Sequence, residues 1–528
     1  MSRLRWAGLI LPGLLSLSLA HAAPDEPKPA PPTPEGKKPG KKKPGKQKPG
    51  KQKPGKKKPG AKAPGKKPAA KKPAAEKKPA QKKEHERKVR PSQPTLITNA
   101  RIPGARGTGV VVLTGGKIAQ LARAIRRVPK GFQVIDAKGG RVLPGRIDAW
   151  ASLGNPDPRG QVLDAFDPYD EDAVREALAG GVTTVFLNPM RNSASSGEGA
   201  IVKMIPGASR EEFLVREGVA LHSALGFSGV GGGAVRDYDA LRAQLTAAQR
   251  YQEVWADYEE ALEKYEKELK AYAAKVAPKG KGGAKKGAKG KAPAKKAPTP
   301  KRPTRPTPKR PTPQRPGATK PGATKPGAKS AEPKAPKQPK RPKTDRALER
   351  LVAVLDRELP LRVEAHRVED IVNLLELQRE FEFELILEGA TEGHRLAEVL
   401  AKREVPVVLA NQLVSGIDND PSPFRRAPDL AARLEAAGVE VVIGSDGWQR
   451  SGALNTIAAL HAQAGLSRAA AEAAVTTRAA ELLGLEKHGK IAPGYVADIV
   501  IMSPASLGAD RVETVLIDGR VVFQRSAP

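Results

Sequence analysis

The chain has 528 residues, 92 Lys and Arg against 57 Asp and Glu, a formal net charge of +35, and no cysteine. Such a length supports several domains and a sizeable core. The missing cysteine excludes disulfides, thiolate metal sites, iron–sulfur clusters, cysteine nucleophiles and a lipidated N-terminal cysteine.

In chain order, Arg3 and Arg5 precede an apolar run from Trp6 to Ala20, followed by Ala20-His21-Ala22. This predicts a secretory signal over 1–23, cleaved near Ala22 or Ala23, and a periplasmic or envelope location. An uncleaved anchor is the alternative; the run is short for a membrane span. Residues 24–92 repeat GKKPGKKKPGKQKPGKQKPGKKKPG and carry 25 basic and 6 acidic residues. Proline, glycine and mutually repelling lysines leave nothing to bury, so a disordered, extended arm is expected. Residues 276–345 repeat that composition. The charge left outside these stretches is slightly acidic, so the total does not by itself indicate a nucleic-acid binder. Electrostatic adhesion to an anionic envelope polymer or lipid surface is expected. Its carriers would include Lys41, Lys42, Lys43, Lys56, Lys57, Lys58, Lys285, Lys286, Arg302 and Arg305. A solvating linker is the plainer reading.

Short β-like runs fill 93–143 and 491–528, with turns at Gly115-Gly116 and Asp518-Gly519. They predict a composite β-sandwich from both ends of the folded region. From 144 to 490, strands such as VTTVFLN, LPLRVEAH, FELILEG, VPVVLAN and VEVVIGSD alternate with helices at 168–178, 367–379, 394–402, 427–437, 452–463 and 467–483. That rhythm predicts an α/β fold of parallel strands with crossover helices, closed as a (β/α)8 TIM-type barrel. A long helix over 236–275 carries Trp255, Tyr258, Leu262, Tyr265, Leu269 and Tyr272 at spacings of 3 and 4. Leu348, Leu351, Val352 and Leu355 form a second stripe. The two stripes predict a helical hairpin with the basic insert at its tip; a dimer coiled coil is the alternative.

Val142-Leu-Pro-Gly-Arg-Ile-Asp-Ala-Trp-Ala-Ser-Leu-Gly154 resembles the first barrel strand of the amidohydrolase superfamily, Pro-Gly-x-Ile-Asp-x-His-x-His. Gly180 to Val185, Ala224 to Gly226, Glu364 to Arg367, Leu387 to Gly393 and Ile443 to Asp446 resemble its second, fourth, fifth, sixth and eighth strands in order. Ala474 to Gly484 and Gly489 to Asp498 resemble its closing helix and its return into the sandwich. The flavour is imidazolonepropionase- or dihydroorotase-like. The resemblance implies hydrolysis of non-peptide C–N bonds, often in cyclic amides, by one or two divalent metals at the barrel mouth. Imidazoles and carboxylates would hold the ion, which activates water and polarises the carbonyl.

The chain departs from that pattern at nearly every ligand. Trp150 and Ser152 stand for the first-strand histidines, Phe227 aligns with the fourth-strand ligand, and Gly389 with the sixth-strand histidine. Only His366 and Asp446 keep ligand register, with Asp446 the catalytic carboxylate if the protein is active. The expectation is a degenerate centre with no cofactor: a pseudoenzyme with a small cyclic-amide-like ligand in its mouth, able to oligomerise. The first alternative is an active enzyme with one divalent metal such as zinc, using His366, Asp446 and His222 or Glu388. Glu388, one residue off register, is expected to face away from His366. The second is a polybasic envelope or nucleic-acid adhesion protein that uses the barrel as scaffold. His394, His461 and His488 fall on helices or a late loop, the glycine-rich 226–233 reads as a flexible loop, and 195–203 reads as a loop near the mouth. No Ser-His-Asp arrangement with a nucleophile turn is recognisable.

Overall fold

A computed structural model describes residues 87–153, 162–189, 197–226, 233–276, 334–410, 427–503 and 511–526. The signal, most of the arm, the insert over 277–333 and Phe227 lie outside them, as do all ten named adhesion lysines and arginines.

Strands β1 (Thr95–Ala100), β2 (Gly109–Thr114), β3 (Lys117–Ala122) and β4 (Gln133–Asp136) form a sheet in the order β3-β2-β1-β4. Next come β5 (Arg141–Pro144), β6 (Arg146–Leu153), α1 (Glu171–Ala179), β7 (Val182–Pro189), β8 (Gly197–Lys203), α2 (Arg210–Phe213) and β9 (Leu214–Ala224). Then follow α3 (Gly233–Val276), α4 (Arg346–Leu355), β10 (Leu361–Ala365), α5 (Val368–Phe381), β11 (Leu385–Gly389), α6 (Ala397–Lys402) and β12 (Val407–Leu409). The chain ends with α7 (Leu430–Ala436), β13 (Val441–Ile443), α8 (Leu454–Gln463), α9 (Arg468–Ala474), α10 (Thr477–Leu482), β14 (Ile499–Met502), β15 (Val512–Ile517) and β16 (Arg520–Gln524).

The second small sheet runs β16-β15-β14-β5. Ile97, Val111, Leu113 and Ile118 from the first sheet share one buried cluster with Val142, Ile499, Ile501 and Leu516 from the second. This is the composite sandwich expected from the two chain ends. Both hairpin turns follow the glycine chemistry: Gly115 and Gly116 have φ of 58° and 75°, and Asp518 and Gly519 have 51° and 73°. The sandwich is tied to the barrel by a buried ion pair between Lys203 and Asp498. Burial pushes the Asp498 carboxyl up, but the Lys203 and His488 charges and the hydrogen bonds from Lys203 and Asp518 N together hold it below its ordinary range. Residues 87–90, assigned to the arm on composition, are anchored here. Arg87 pairs with Asp518 at 2.8 Å, Arg90 with Glu212 and Lys88 with Glu211.

The barrel sheet has eight strands in the order β13-β12-β11-β10-β9-β8-β7-β6. It meets itself just past β13, where Ser445 N and Asp446 N donate to Trp150 O at 3.0 and 2.8 Å. The expected all-parallel barrel needs one correction. β8 is antiparallel to both β7 and β9, while the other adjacent strands pair parallel. Only residues 190–196 separate β7 from β8, too few for a parallel crossover. The segment 195–203, read as a loop, is therefore mostly a barrel strand. The helix expected over 467–483 is also divided, into α9 and α10, at Val475 and Thr476.

Helix α3 starts on the core. Leu241, Leu245 and Ala248 are fully buried, alongside Leu351 and Val354 of α4. The expected helical hairpin holds only at this base. Helix α4 has 10 residues against 44 in α3. It cannot reach the aromatic stripe beyond Trp255. Residues 334–345 lie against α3 at Tyr251 and Trp255 instead. They belong to neither helix nor strand, and Pro336, Pro339 and Pro342 are half-buried while the residues between them are exposed. A period of three is that of a polyproline helix. Its turn of about 9.3 Å is close to a helical heptad of about 10.5 Å, so such a segment can run along one face of α3. Arg341 lies over the Trp255 ring at 5.5 Å, and Asp345 N donates to Tyr251 Oη at 3.3 Å. Trp255→Ala should speed tryptic cleavage after Lys337 and Lys343 without moving the global unfolding midpoint. An unchanged cleavage rate would show that Trp255 does not hold this segment.

Candidate active site

Charged residues inside a fully buried parallel strand require partners. On β10, Arg362 and Glu364 are both fully buried, and His366 follows just past its end. Arg362 crosses the barrel. Its Nε donates to Glu388 Oε1 on β11 at 2.6 Å and its Nη2 donates to Ala149 O on β6 at 2.7 Å. The guanidinium also lies over the Phe186 ring at 4.2 Å. Glu388 accepts two further bonds from Asn188 Nδ2 at 3.0 and 2.9 Å and meets His222 Nε2 at 3.1 Å. Burial pushes the Glu388 carboxyl up, but the Arg362 charge, and then the His222 bond and charge, hold it down at about 2.

Glu388 was expected to face away from His366, and the register corrects this. Glu364 pairs with Glu388, and Arg362 with His222. Paired residues share a face, and His366 lies two residues beyond Glu364, so all five turn into the barrel. His366 Nε2 meets Glu364 Oε1 at 2.9 Å and its Nδ1 meets Thr391 Oγ1 at 2.7 Å. The chain Glu364–His366–Thr391 was not recognised in the sequence. Thr391 is itself buried, so the chain orients an imidazole rather than presenting a nucleophilic hydroxyl.

Trp150 is 1% exposed and shares a cluster with the barrel-lining Ile147, Phe186, Ile201, Ile386, Val408 and Val442. Ser152 sits at the end of β6, opposite Asn188. Asp148 accepts from Ser445 N at 3.0 Å and Ser451 Oγ at 2.7 Å, fastening β6 to the segment after β13. Burial pushes its carboxyl up against those bonds. Gly389 has φ +83°, and a Cβ there would lie 2.4 Å from His366 Cε1. His366 thus fills the space above the position where the family places a histidine. Asp446, with φ +60°, turns its carboxylate to Arg450 at 3.3 Å. The remaining histidines lie elsewhere. His394 is in a short turn, His461 bonds Ala410 O at 3.1 Å, and His488 bonds Glu486 O at 2.7 Å. Burial lowers the His394 and His461 pKa, and burial with the Lys203 charge takes His488 to about 4.

A divalent ion needs several unprotonated nitrogens and free carboxylates converging on one point. Both nitrogens of His366 face protein partners, and the charge next to Glu388 is that of Arg362. Among the described residues, no group of three His, Asp or Glu side chains could hold a metal. This set does not fit the family's metal.

The amidohydrolase family profile matches residues 208–523, more than half of the chain. An amidohydrolase structure from Thermotoga maritima superposes with a TM-score of 0.60 at 23% identity, covering 82% of this chain and 100% of that one. N-isopropylammelide isopropylaminohydrolase from Burkholderia multivorans gives a TM-score of 0.44 at 14% identity, covering 82% and 98%. Comparison with curated proteins gives no match. The matched span runs through β9 to β16 and contains the strands that carry His222, Arg362, Glu364 and Glu388. The chain belongs to the amidohydrolase family.

Proposed function

We propose that the chain is an exported amidohydrolase-fold protein in which buried ion pairs replace the metal centre, leaving little or no hydrolysis. The observation that carries this reading is Arg362. Its permanent charge lies against Glu388 at 2.6 Å, so the barrel carboxylate is already neutralised without an ion. Trp150 and Gly389, at positions where the family has histidine ligands, support it. The barrel mouth then binds a small cyclic-amide-like ligand without turning it over. The signal-like N-terminus and the two Lys- and Pro-rich stretches fit an exported protein held to an anionic envelope polymer or lipid surface.

Cell fractionation of the intact chain and of a variant lacking 24–86 and 277–333 tests the tethering. The intact chain should partition with the envelope and the variant should be released. Envelope association that persists in the variant, or retention in the cytoplasm, would overturn this part of the reading.

A further inference from the structure

The segment 334–345 repeats Lys-x-Pro: Lys334, Lys337, Lys340 and Lys343 each lie two residues before or one residue after a proline of the same series. At three residues per turn, positions three apart fall on one edge of the strand. One edge, Pro336, Pro339 and Pro342, is half-buried where the segment meets α3 at Tyr251 and Trp255, and all four lysines are exposed. None of the four has an ion-pair partner among the described residues. The packing below holds them in a single file with a spacing of about 9.3 Å. A composition-driven basic tail has no such order.

We propose that this lysine file is a binding edge for a linear acidic polysaccharide carrying one carboxylate per disaccharide. It rests on the adhesion reading above and gives it a defined site. Three observations select the ligand class. The cations form one line, which a linear polymer can follow and a planar membrane cannot meet as well. The exposed helix beside it interleaves Glu259, Glu260, Glu263 and Glu266 with Lys264, Lys267 and Lys270, Lys267 pairing with Glu263 at 3.6 Å, so it adds no broad basic face for a flat anionic surface. The Trp255 ring lies under Arg341 and against Tyr258, and Tyr265 is half-buried, so none of the three is fully exposed for base stacking. Duplex DNA, with one charge per about 1.7 Å of axis, is far denser than the file. A polymer with widely spaced carboxylates matches it better.

Lysine acetylation footprinting of the full chain tests this, with hyaluronate as probe and neutral dextran as control. Hyaluronate should slow acetylation of Lys334, Lys337, Lys340 and Lys343 together and severalfold. Lys264 and Lys267 on α3 should be unchanged, and protection should fade at high salt. Lys334→Ala with Ala335→Lys, and Lys337→Gln with Gln338→Lys, keep the net charge and move two lysines off the edge. The relocated lysines should lose protection. Equal protection after relocation overturns the ordered edge. Protection of the arm lysines alone overturns this site and spares the adhesion reading; protection of no lysine overturns both. Stronger protection by duplex DNA at equal charge overturns the polysaccharide assignment.

Discussion

Arg362→Met will destabilise the fold by about 3–5 kcal/mol, the cost of leaving a buried charge without its partner. The lost contacts are the bond to Glu388 at 2.6 Å and the bond to Ala149 O at 2.7 Å. Glu388 would keep only Asn188 and His222. A double variant, Arg362→Met with Glu388→Leu, should recover part of the loss, because it removes both charge-desolvation costs but leaves buried Asn188 and His222 without their Glu388 partner. Denaturant unfolding of the four proteins of this cycle measures it. A loss below about 1 kcal/mol, as for an exposed ion pair, would show that the pair is not buried. The pH dependence has a definite sign. The Glu388 carboxyl titrates at about 2 when folded and near 4.3 when unfolded. Its contribution is therefore complete above about pH 4.3 and is lost as the pH falls toward 2, by about 3 kcal/mol in all. The Arg362→Met variant should lose most of this acid-sensitive component.

Gly389→His, which restores the family's residue type, will also destabilise rather than create a ligand. The backbone at φ +83° costs a non-glycine residue about 1–3 kcal/mol. The Cβ would also press on the His366 ring, and such overpacking costs a further amount of about 1–3 kcal/mol. Gly389→Ala should already show the backbone part and a share of the clash. Adding His366→Ala to Gly389→Ala should relieve the steric part only. Unfolding midpoints that do not change in Gly389→Ala would refute this account of the position.

Much of the architecture was legible because apolar runs and glycine turns report local physics. β10, β11, β12 and β13 stand where their Val- and Leu-rich runs placed them, and Asp518-Gly519 forms the hairpin turn its chemistry dictates. β8 was missed because its segment resembles a family loop near the mouth. Gly199 has a packing reason to be small: a Cβ there would lie 2.3 Å from Phe186 Cζ, inside the barrel. The proline strand on α3 was missed because composition predicts disorder for any Lys- and Pro-rich stretch. The signal was the three-residue proline period over 333–342, beside an aromatic stripe too long for α4 to cover. At the site, the replaced ligand positions were readable one by one. Arg362 was not singled out, although a lone arginine in LPLRVEAH, two residues from Glu364, already required a buried partner. The pairing of Glu364 with Glu388 depends on strand register, which local sequence does not carry.

Loading the full chain with zinc or manganese, removing loosely held ion by gel filtration and measuring bound metal by mass spectrometry tests the central claim. With Arg362 neutralising Glu388 and His366 held between Glu364 and Thr391, retained metal should be a small fraction of one equivalent. Stoichiometric retention that disappears in His366→Ala or Asp446→Asn would contradict it.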